Sequence, residues 1–526
     1  MGTSAAFKYP SPTSARAYRL QLIAPMTSPN SLVCFTNCLL PQEDGNLIEK
    51  DLWIDQRRGI ILDAQTTFYL RRERPNTVID LGGNILSPGY IDLQLNGGYG
   101  FDFSVYDGDD EAYKAGMKMV AERIVETGVT SLVPTVITQE KSLYPKLLQL
   151  LRPFATPTSA TLLGWHAEGP FINISKRGAH APPYLLSAPE GIKTFEDVYG
   201  VSNMTDAEDW TMSGTNQEVG IRIVTAAPEI EGVMGAIAQL TKRGIIFAVG
   251  HSVAKSDIAT DSVRQGTRLI THLFNAMPQL HHRDPSIIGL LGASPYLYSS
   301  FSPIQSSTTT PQRGHSRVGS IAKTTGGSEA IDENVTPPQT PLSRRGGVMA
   351  PALSGTVTPV GVNSEGDQLA RTMDFERPFY DLIVDGIHCH PNSIRLAYSS
   401  FPERCILITD AMKILDPNLR DGVYEWRDGK RYVKEGHKLY LEGTNTLAGS
   451  VVTLDTCVRN FTKFTGCTIG QAIKCATYNP AKCLNIEHKK GTLRPGADAD
   501  LIVLDRHGHV LSTWIKGKKV WETTKQ

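Results

Sequence analysis

The chain has 526 residues, 40% hydrophobic and 20% charged, an ordinary globular composition with room for one large domain and a satellite. Lys plus Arg and Asp plus Glu number 53 each, so the formal net charge is zero and global charge draws the chain neither to nucleic acid nor to an anionic membrane. No apolar stretch approaches the roughly 20 residues of a membrane-spanning helix.

In chain order, residues 1–31 are rich in Ser, Pro and Ala, carry Lys8, Arg16 and Arg19, and hold no acid. They read as a disordered tail, with a transit peptide as the alternative. Residues 32–87 supply strand-like pieces (LVCFTNCLL, KDLWIDQRRGIILDA), and 485–526 supply two more (ADLIVLD, STWIKGKKVW). These predict a small β-sandwich domain built from both chain ends. Between them, over 88–484, eight β-rich runs alternate with amphipathic stretches such as DEAYKAGMKMVAERIVETG and IEGVMGAIAQLTKRG. The runs are PGYIDLQLN (88–96), SLVPTVIT (131–138), TLLGWHAEGP (161–170), IRIVTAAPE (221–229), GIIFAVGHS (244–252), RLITHLFNA (268–276), YDLIVDGIH (380–388) and CILITDA (405–411). Near-continuous apolar strands separated by helices imply a parallel sheet buried on both faces, and eight such units are the count of an α/β (β/α)8 TIM barrel. From about 293 to 376, between the sixth and seventh runs, Ser, Thr, Pro and Gly dominate and periodicity vanishes. That segment reads as a disordered surface insertion. The eight cysteines are scattered, none in a C-x-x-C pair, and no hydrophobic signal segment opens the chain, so reduced thiols in a cytoplasmic protein are expected.

Nearly every apolar run ends in Asp, Glu, His, Asn or Gln, and the C-terminal strand ends of such a barrel form its active-site face. The third run ends in His166-Ala-Glu168, whose outer two side chains share a face. The fifth ends in His251, the sixth carries His272, the seventh ends in His388, and the eighth has Asp410. A single histidine beside an apolar run is most often a core residue; several in register at successive strand ends point to a metal. Two imidazoles and a carboxylate suit Zn²⁺ or a similar divalent ion with a position left open for water. Asp410 has a structural reading as a helix N-cap and a chemical one as the base that takes a proton from that water and returns it to a leaving amine. The chemical reading is preferred at the mouth of a metal barrel.

The fragments PGYIDLQLNGGYG, HAEGPFIN with RGAH behind it, TAAPE, VGHS, THLFNAM, DGIH, LITDAM and LAGS resemble, in the same order, the N-acetylglucosamine-6-phosphate deacetylases of the amidohydrolase superfamily. The resemblance spans nearly the whole barrel and leaves out the tail and the insertion. It implies hydrolysis of N-acetylglucosamine 6-phosphate to glucosamine 6-phosphate and acetate in amino-sugar catabolism or recycling, by a small-molecule enzyme that is a homodimer. It further implies one divalent ion per subunit, Zn²⁺ first among the choices, held by Glu168, His251 and His272, with Asp410 as acid/base. Ala179 and His180 match a turn that contacts the sugar, where His180 also polarises the acetyl carbonyl. Asn275 and Ala276 match positions near the phosphate. Arg283 and His388 match basic phosphate ligands, one of them reaching from a neighbouring subunit. Leu447, Ala448, Gly449 and Ser450 match a loop closing over the acetyl and sugar. From position alone Arg283 has a second reading as a solvated surface charge in HHRDP, and His281 and His282 beside it read as surface residues.

Many amidohydrolases carry His-x-His at the end of the first strand for a second metal; here the place reads Gln94-Leu-Asn96. Amides are poor Zn²⁺ ligands, so a single ion is expected, with Gln94 and Asn96 free to hydrogen-bond water or substrate. Three rival readings stand beside this one: a cyclic-amide hydrolase, disfavoured because the fourth strand ends in TAAPE with no Lys for a second metal; an amidohydrolase for another N-acylated sugar; and an inactive scaffold, disfavoured because every ligand is kept.

Overall fold

The computed structural model describes residues 30–152, 154–204, 220–293, 375–426, 429–444 and 447–524. The expected N-terminal tail, but for its last two residues, and the Ser/Thr/Pro-rich insertion, but for its outermost residues, lie outside them.

Eight strands at the expected places pair in sequence order, all parallel: β1 (Tyr90–Leu95), β2 (Val129–Ile137), β3 (Trp165–Glu168), β4 (Ile221–Ala226), β5 (Ile246–Val249), β6 (Leu269–Ile270), β7 (Phe379–Ile383) and β8 (Cys405–Ile408). Every residue in them is buried, as a sheet covered on both faces requires. The barrel closes just past β8, where Leu95 bridges Ala411 in parallel. There the Asp410 N–H donates to the Gln94 carbonyl at 2.9 Å and the Asn96 N–H to the Ala411 carbonyl at 2.8 Å. The closing seam and the first and last strand ends are therefore one structure.

Helices follow the strands as the amphipathic stretches predict. α1 (Asp110–Arg123) starts at Asp109, whose carboxylate accepts the Glu111 and Ala112 N–H groups. The helix Val233–Lys242 buries Val233, Ala236, Ile237 and Leu240, an i, i+3, i+4, i+7 stripe, and Leu454–Thr465 buries Leu454, Cys457, Val458 and Phe461 with the same spacing. Each Val, Ile, Leu or Phe among them contributes about 1.5–3 kcal/mol of burial, and truncating Phe461 to Ala would cost about 3–5 kcal/mol.

Both chain ends build the second layer. Leu32–Thr36 pairs antiparallel with Leu52–Asp55 and parallel with Thr77–Asp80 in one sheet. In the other, the C-terminal strand Leu501–Leu504 pairs antiparallel with Ile85–Pro88, directly upstream of β1. Val33, Phe35, Ile54, Leu86, Leu501 and Trp514 share their core, with the Phe35 and Trp514 rings edge to face at 5.1 Å. After β8 comes an antiparallel three-stranded sheet that the sequence reading did not place: Gly422–Glu425, Arg431–Glu435 and Lys438–Leu441. Its Tyr432 and Leu439, with neighbouring Trp426, pack against Ile137, Met412 and Ala448 beside the barrel mouth.

Candidate active site

Glu168 is the last residue of β3, while His251, His272 and Asp410 each lie two residues beyond the ends of β5, β6 and β8. All three of the latter have left-handed backbone, with φ of 49°, 32° and 47°. Non-glycine residues reach that region only at a cost of order 1 kcal/mol or more each, and such strain gathers at functional sites. The turn it produces aims each side chain back across the mouth. His388 lies five residues past the end of β7, in a loop, rather than at the strand's tip.

The Oε1 atom of Glu168 is 3.1 Å from Nε2 of His251 and 3.1 Å from Nε2 of His272, and those two nitrogens are 3.1 Å apart. All three residues are buried. Donor atoms around a tetrahedral ion with bonds of about 2.0–2.1 Å stand roughly 3.3 Å apart, so this triangle has the size of a ligand set. His251 Nδ1 lies 2.7 Å from the Lys176 carbonyl; a proton there leaves the Nε2 lone pair pointing to the centre. The His272 backbone N–H donates to Asp381. Burial pushes Glu168 up, but hydrogen bonds from His251 and His272 and the charge of His251 and His180 hold its carboxyl well below the usual range. Burial would lower His272 as well, yet Glu168 raises it to about 9: the centre of the triangle attracts positive charge. The donors fit one divalent ion.

Asp410 stands beside the triangle. Its Oδ1 accepts from Asn96 Nδ2 at 2.7 Å and from Gln94 Nε2 at 3.2 Å, and the same Gln94 nitrogen donates to Glu168 Oε1 at 3.0 Å. The amide N–H groups of Gln94 and Asn96 thus spend themselves on two carboxylates, where a second cation would otherwise compensate the charge. Burial and then the Glu168 charge raise Asp410 to about 6, against the pull of His272, His388 and the Asn96 hydrogen bond.

His180 is buried beside the triangle. Its ring lies 4.6 Å from that of His251, and its Nε2 is 4.0 Å from Glu168 Oε2. His166, beneath Glu168, is neutral: burial lowers it to about 4, while Nδ1 reaches the Leu93 carbonyl at 3.3 Å and Nε2 the Thr225 hydroxyl at 2.6 Å. It is a core support.

The remaining expected residues divide. His388 Nδ1 is 2.7 Å from Asp385 Oδ2, in a turn where the Asp385 carboxylate also accepts the His388 N–H. Asn275 Nδ2 donates to Cys389 Sγ at 3.5 Å, so the turn after β6 touches the His388 loop; Ala276 is half-buried in the same turn. Ala179 packs on the apolar cluster beside the mouth. Leu447–Ser450 lies against Asp410: Leu447 bridges Tyr440, the Ala448 N–H donates to Leu439, and the Ser450 N–H donates to the Asp410 carbonyl at 3.2 Å. A Cβ at Gly449, where φ is 78°, would fall 2.5 Å from Met412. The Ser450 hydroxyl donates to the Thr409 carbonyl, which makes it a strap across the strand end. Arg283 is not brought to the triangle within the chain: it is exposed, with its guanidinium 3.1 Å from His282 Nε2. His281 and His282 are exposed too. The sequence reading did not single out Thr138, which meets His180, or Asp92 and Thr409 at the closing seam; Asp92 is a buried residue within β1, and the two threonines are buried residues just past the ends of β2 and β8.

A (β/α)8 barrel with a Glu/His/His triangle and an aspartate at its C-terminal strand ends is the arrangement of a metal-dependent amidohydrolase, and the amidohydrolase family model matches residues 377–520. The chain is 36% identical over 495 residues to the N-acetylglucosamine-6-phosphate deacetylase of Caenorhabditis elegans, covering 94% of this chain and 95% of that one. It is 35% identical over 490 residues to the human protein of the same name, covering 93% and 95%. The solved N-acetylglucosamine-6-phosphate deacetylase of Pasteurella multocida shares the fold at a TM-score of 0.65 and 22% identity, over 94% of this chain and all of that one. The chain belongs to the N-acetylglucosamine-6-phosphate deacetylase family of hydrolases.

Proposed function

We infer that the chain hydrolyses the acetamide of N-acetylglucosamine 6-phosphate, releasing acetate and glucosamine 6-phosphate. The observation that carries this reading is the meeting of Glu168, His251 and His272 beside Asp410 in a member of this family. When bound by those three residues, a divalent ion supplies Lewis acidity to the acetyl carbonyl and acidifies the attacking water. Zn²⁺ suits two imidazoles and a carboxylate best.

The other steps fall to side chains. Gln94 and Asn96 both engage Oδ1 of Asp410, so Oδ2 is the oxygen available to take the water's proton and hand it to the leaving amine. His180 donates to the carbonyl oxygen as negative charge develops there. Arg283 and His388 bind the phosphate, and the sugar is thereby held with its acetamide at the mouth; remote binding energy is used for orientation. Leu447–Ser450 closes one side of the pocket, while Ala179, Asn275 and Ala276 line the rest. The exposed position of Arg283 favours its service to a neighbouring subunit's pocket, in a cytoplasmic homodimer.

Acetate release from phosphorylated and unphosphorylated N-acetylglucosamine, by wild type and Asp410→Asn, tests the reading. Release from the phosphorylated sugar by wild type alone supports it; equal rates in both proteins would sink it.

A further inference from the structure

His180 is useful to the reaction only if a proton sits on the nitrogen that faces the metal triangle. Neutral imidazole has one N–H, and the partner of the other nitrogen decides where it goes. In this chain that partner is Thr138, the first residue past the end of β2 and fully buried. Its backbone N–H donates to His180 Nδ1 at 3.3 Å, and its hydroxyl lies 2.7 Å from the same nitrogen. A ring nitrogen that receives a backbone N–H is an acceptor, so the proton belongs on Nε2, the nitrogen 4.0 Å from Glu168.

The space around this contact is closed. Ile137 and Glu168 are register partners on β2 and β3, so Thr138 and Gly169 leave their strands side by side. A Cβ on Gly169, where φ is 78°, would lie 2.3 Å from the Thr138 hydroxyl and 3.5 Å from His180 Nδ1. Gly169 is itself pinned, its N–H donating to the Thr225 carbonyl and its carbonyl accepting from Tyr199 Oη at 2.8 Å. Only glycine at 169 lets the threonine hydroxyl reach the ring.

We propose that Thr138 is a positioning residue for the deacetylation: through paired donors on Nδ1 it fixes the tautomer and tilt of His180, so that Nε2–H meets the acetyl oxygen. This rests on the deacetylase reading above.

The test uses the zinc-loaded full chain. Thr138→Val keeps shape and backbone N–H but removes the hydroxyl; Thr138→Ser restores it. Thr138→Val is expected to lower kcat about tenfold or more, within the 10–100-fold range seen when an orienting partner is lost, with KM moving less than about twofold. Thr138→Ser should recover most of the loss. In a His180→Gln background, adding Thr138→Val should cost nothing further, because the hydroxyl acts through the ring. Nitrogen NMR of the His180 ring gives a readout independent of activity: a single Nε2–H tautomer in wild type, and in Thr138→Val, which keeps the backbone N–H, a shifted Nδ1 resonance that reports the lost hydroxyl contact. Wild-type kcat in Thr138→Val, an equal loss in Thr138→Ser, additive losses in the double variant, or an Nδ1–H tautomer in wild type would each overturn the proposal. A wild type that releases no acetate, yet shows the Nε2–H tautomer and the Thr138-dependent Nδ1 shift, would instead overturn the substrate reading.

Discussion

The Nε2 atoms of His251 and His272 stand 3.1 Å apart and share one oxygen of Glu168 as their neighbour. Three electron-rich atoms are held this close only with positive charge between them. Metal analysis of the purified chain should return one divalent ion per subunit; two would overturn the role given to Gln94 and Asn96. Chelation should abolish acetate release, and re-added Zn²⁺ should restore it. Ion binding to the native state alone adds about 4 kcal/mol at a thousandfold excess over Kd, so chelation should also lower Tm by several degrees. His272→Ala should show neither the ion nor the chelator-dependent Tm shift. Because a proton competes for the same centre, with His272 raised to about 9, retained metal should fall as pH falls.

Asp410 should set the acid limb of the pH profile. With its carboxylate in the proposed role of base, activity is present above its pKa and lost as pH falls through it. Burial and Glu168 raise that value to about 6 in the bare site, and a cation beside it moves it lower. The limb of kcat/KM is therefore expected at or below about 6. Asp410→Asn should reduce kcat by about 10²–10⁴-fold while metal content stays at one ion. A variant with unchanged kcat would leave Asp410 as a mere structural group at the barrel seam.

Much of this was legible in the sequence, for identifiable reasons. The eight strands were readable because parallel barrel strands are apolar on both faces, and Glu168 because it ends such a run. His251, His272 and Asp410 were readable as chemistry but not as conformation. Nothing in VGHS, THLF or ITDA announces positive φ at a His or an Asp; tertiary packing imposes it. Thr138 was illegible because its role lies in the side chain 42 residues away that it meets. The sheet spanning Gly422–Leu441 escaped because its short, charge-interrupted strands alternate in burial and bury little by themselves.

Arg283 and His388 should govern the phosphate rather than the chemistry. Asp385 takes hydrogen bonds from the His388 ring and N–H; burial pushes its carboxyl up, but these bonds and the His388 charge hold it below the usual range. That fixes the His388 ring with Nε2 turned away from Asp385. Losing one charge-assisted bond costs about 1.5–3 kcal/mol, so Arg283→Ala and His388→Ala should each raise KM for the phosphorylated sugar about 10–100-fold. Their rates on the unphosphorylated sugar should change little. Equal losses on both substrates would remove these two residues from the phosphate pocket.

The seam that carries Asp410 should be visible as a pH-dependent stability. Asp92 on β1 is fully buried; its Oδ2 accepts from the Thr409 hydroxyl at 2.6 Å, and its Oδ1 from the Gln94 and Thr409 N–H groups at 3.2 and 3.3 Å. Burial raises its carboxyl to about 7, despite those bonds, from about 3.9 in the unfolded chain. A carboxyl raised by folding holds its proton more tightly in the native state. Its contribution is therefore complete below about 4, declines as pH rises to about 7, and is flat above, at about 1.4 kcal/mol per unit. Asp92→Asn keeps the shape and has no proton to lose. Its Tm relative to wild type should climb between pH 5 and pH 8, whereas Thr409→Val, which takes away the carboxylate's shortest hydrogen bond, should fall further behind over the same range. Parallel Tm curves for all three proteins would mean that Asp92 is ionised throughout, and that the seam is held by the backbone bonds of Gln94, Asn96 and Ala411 alone.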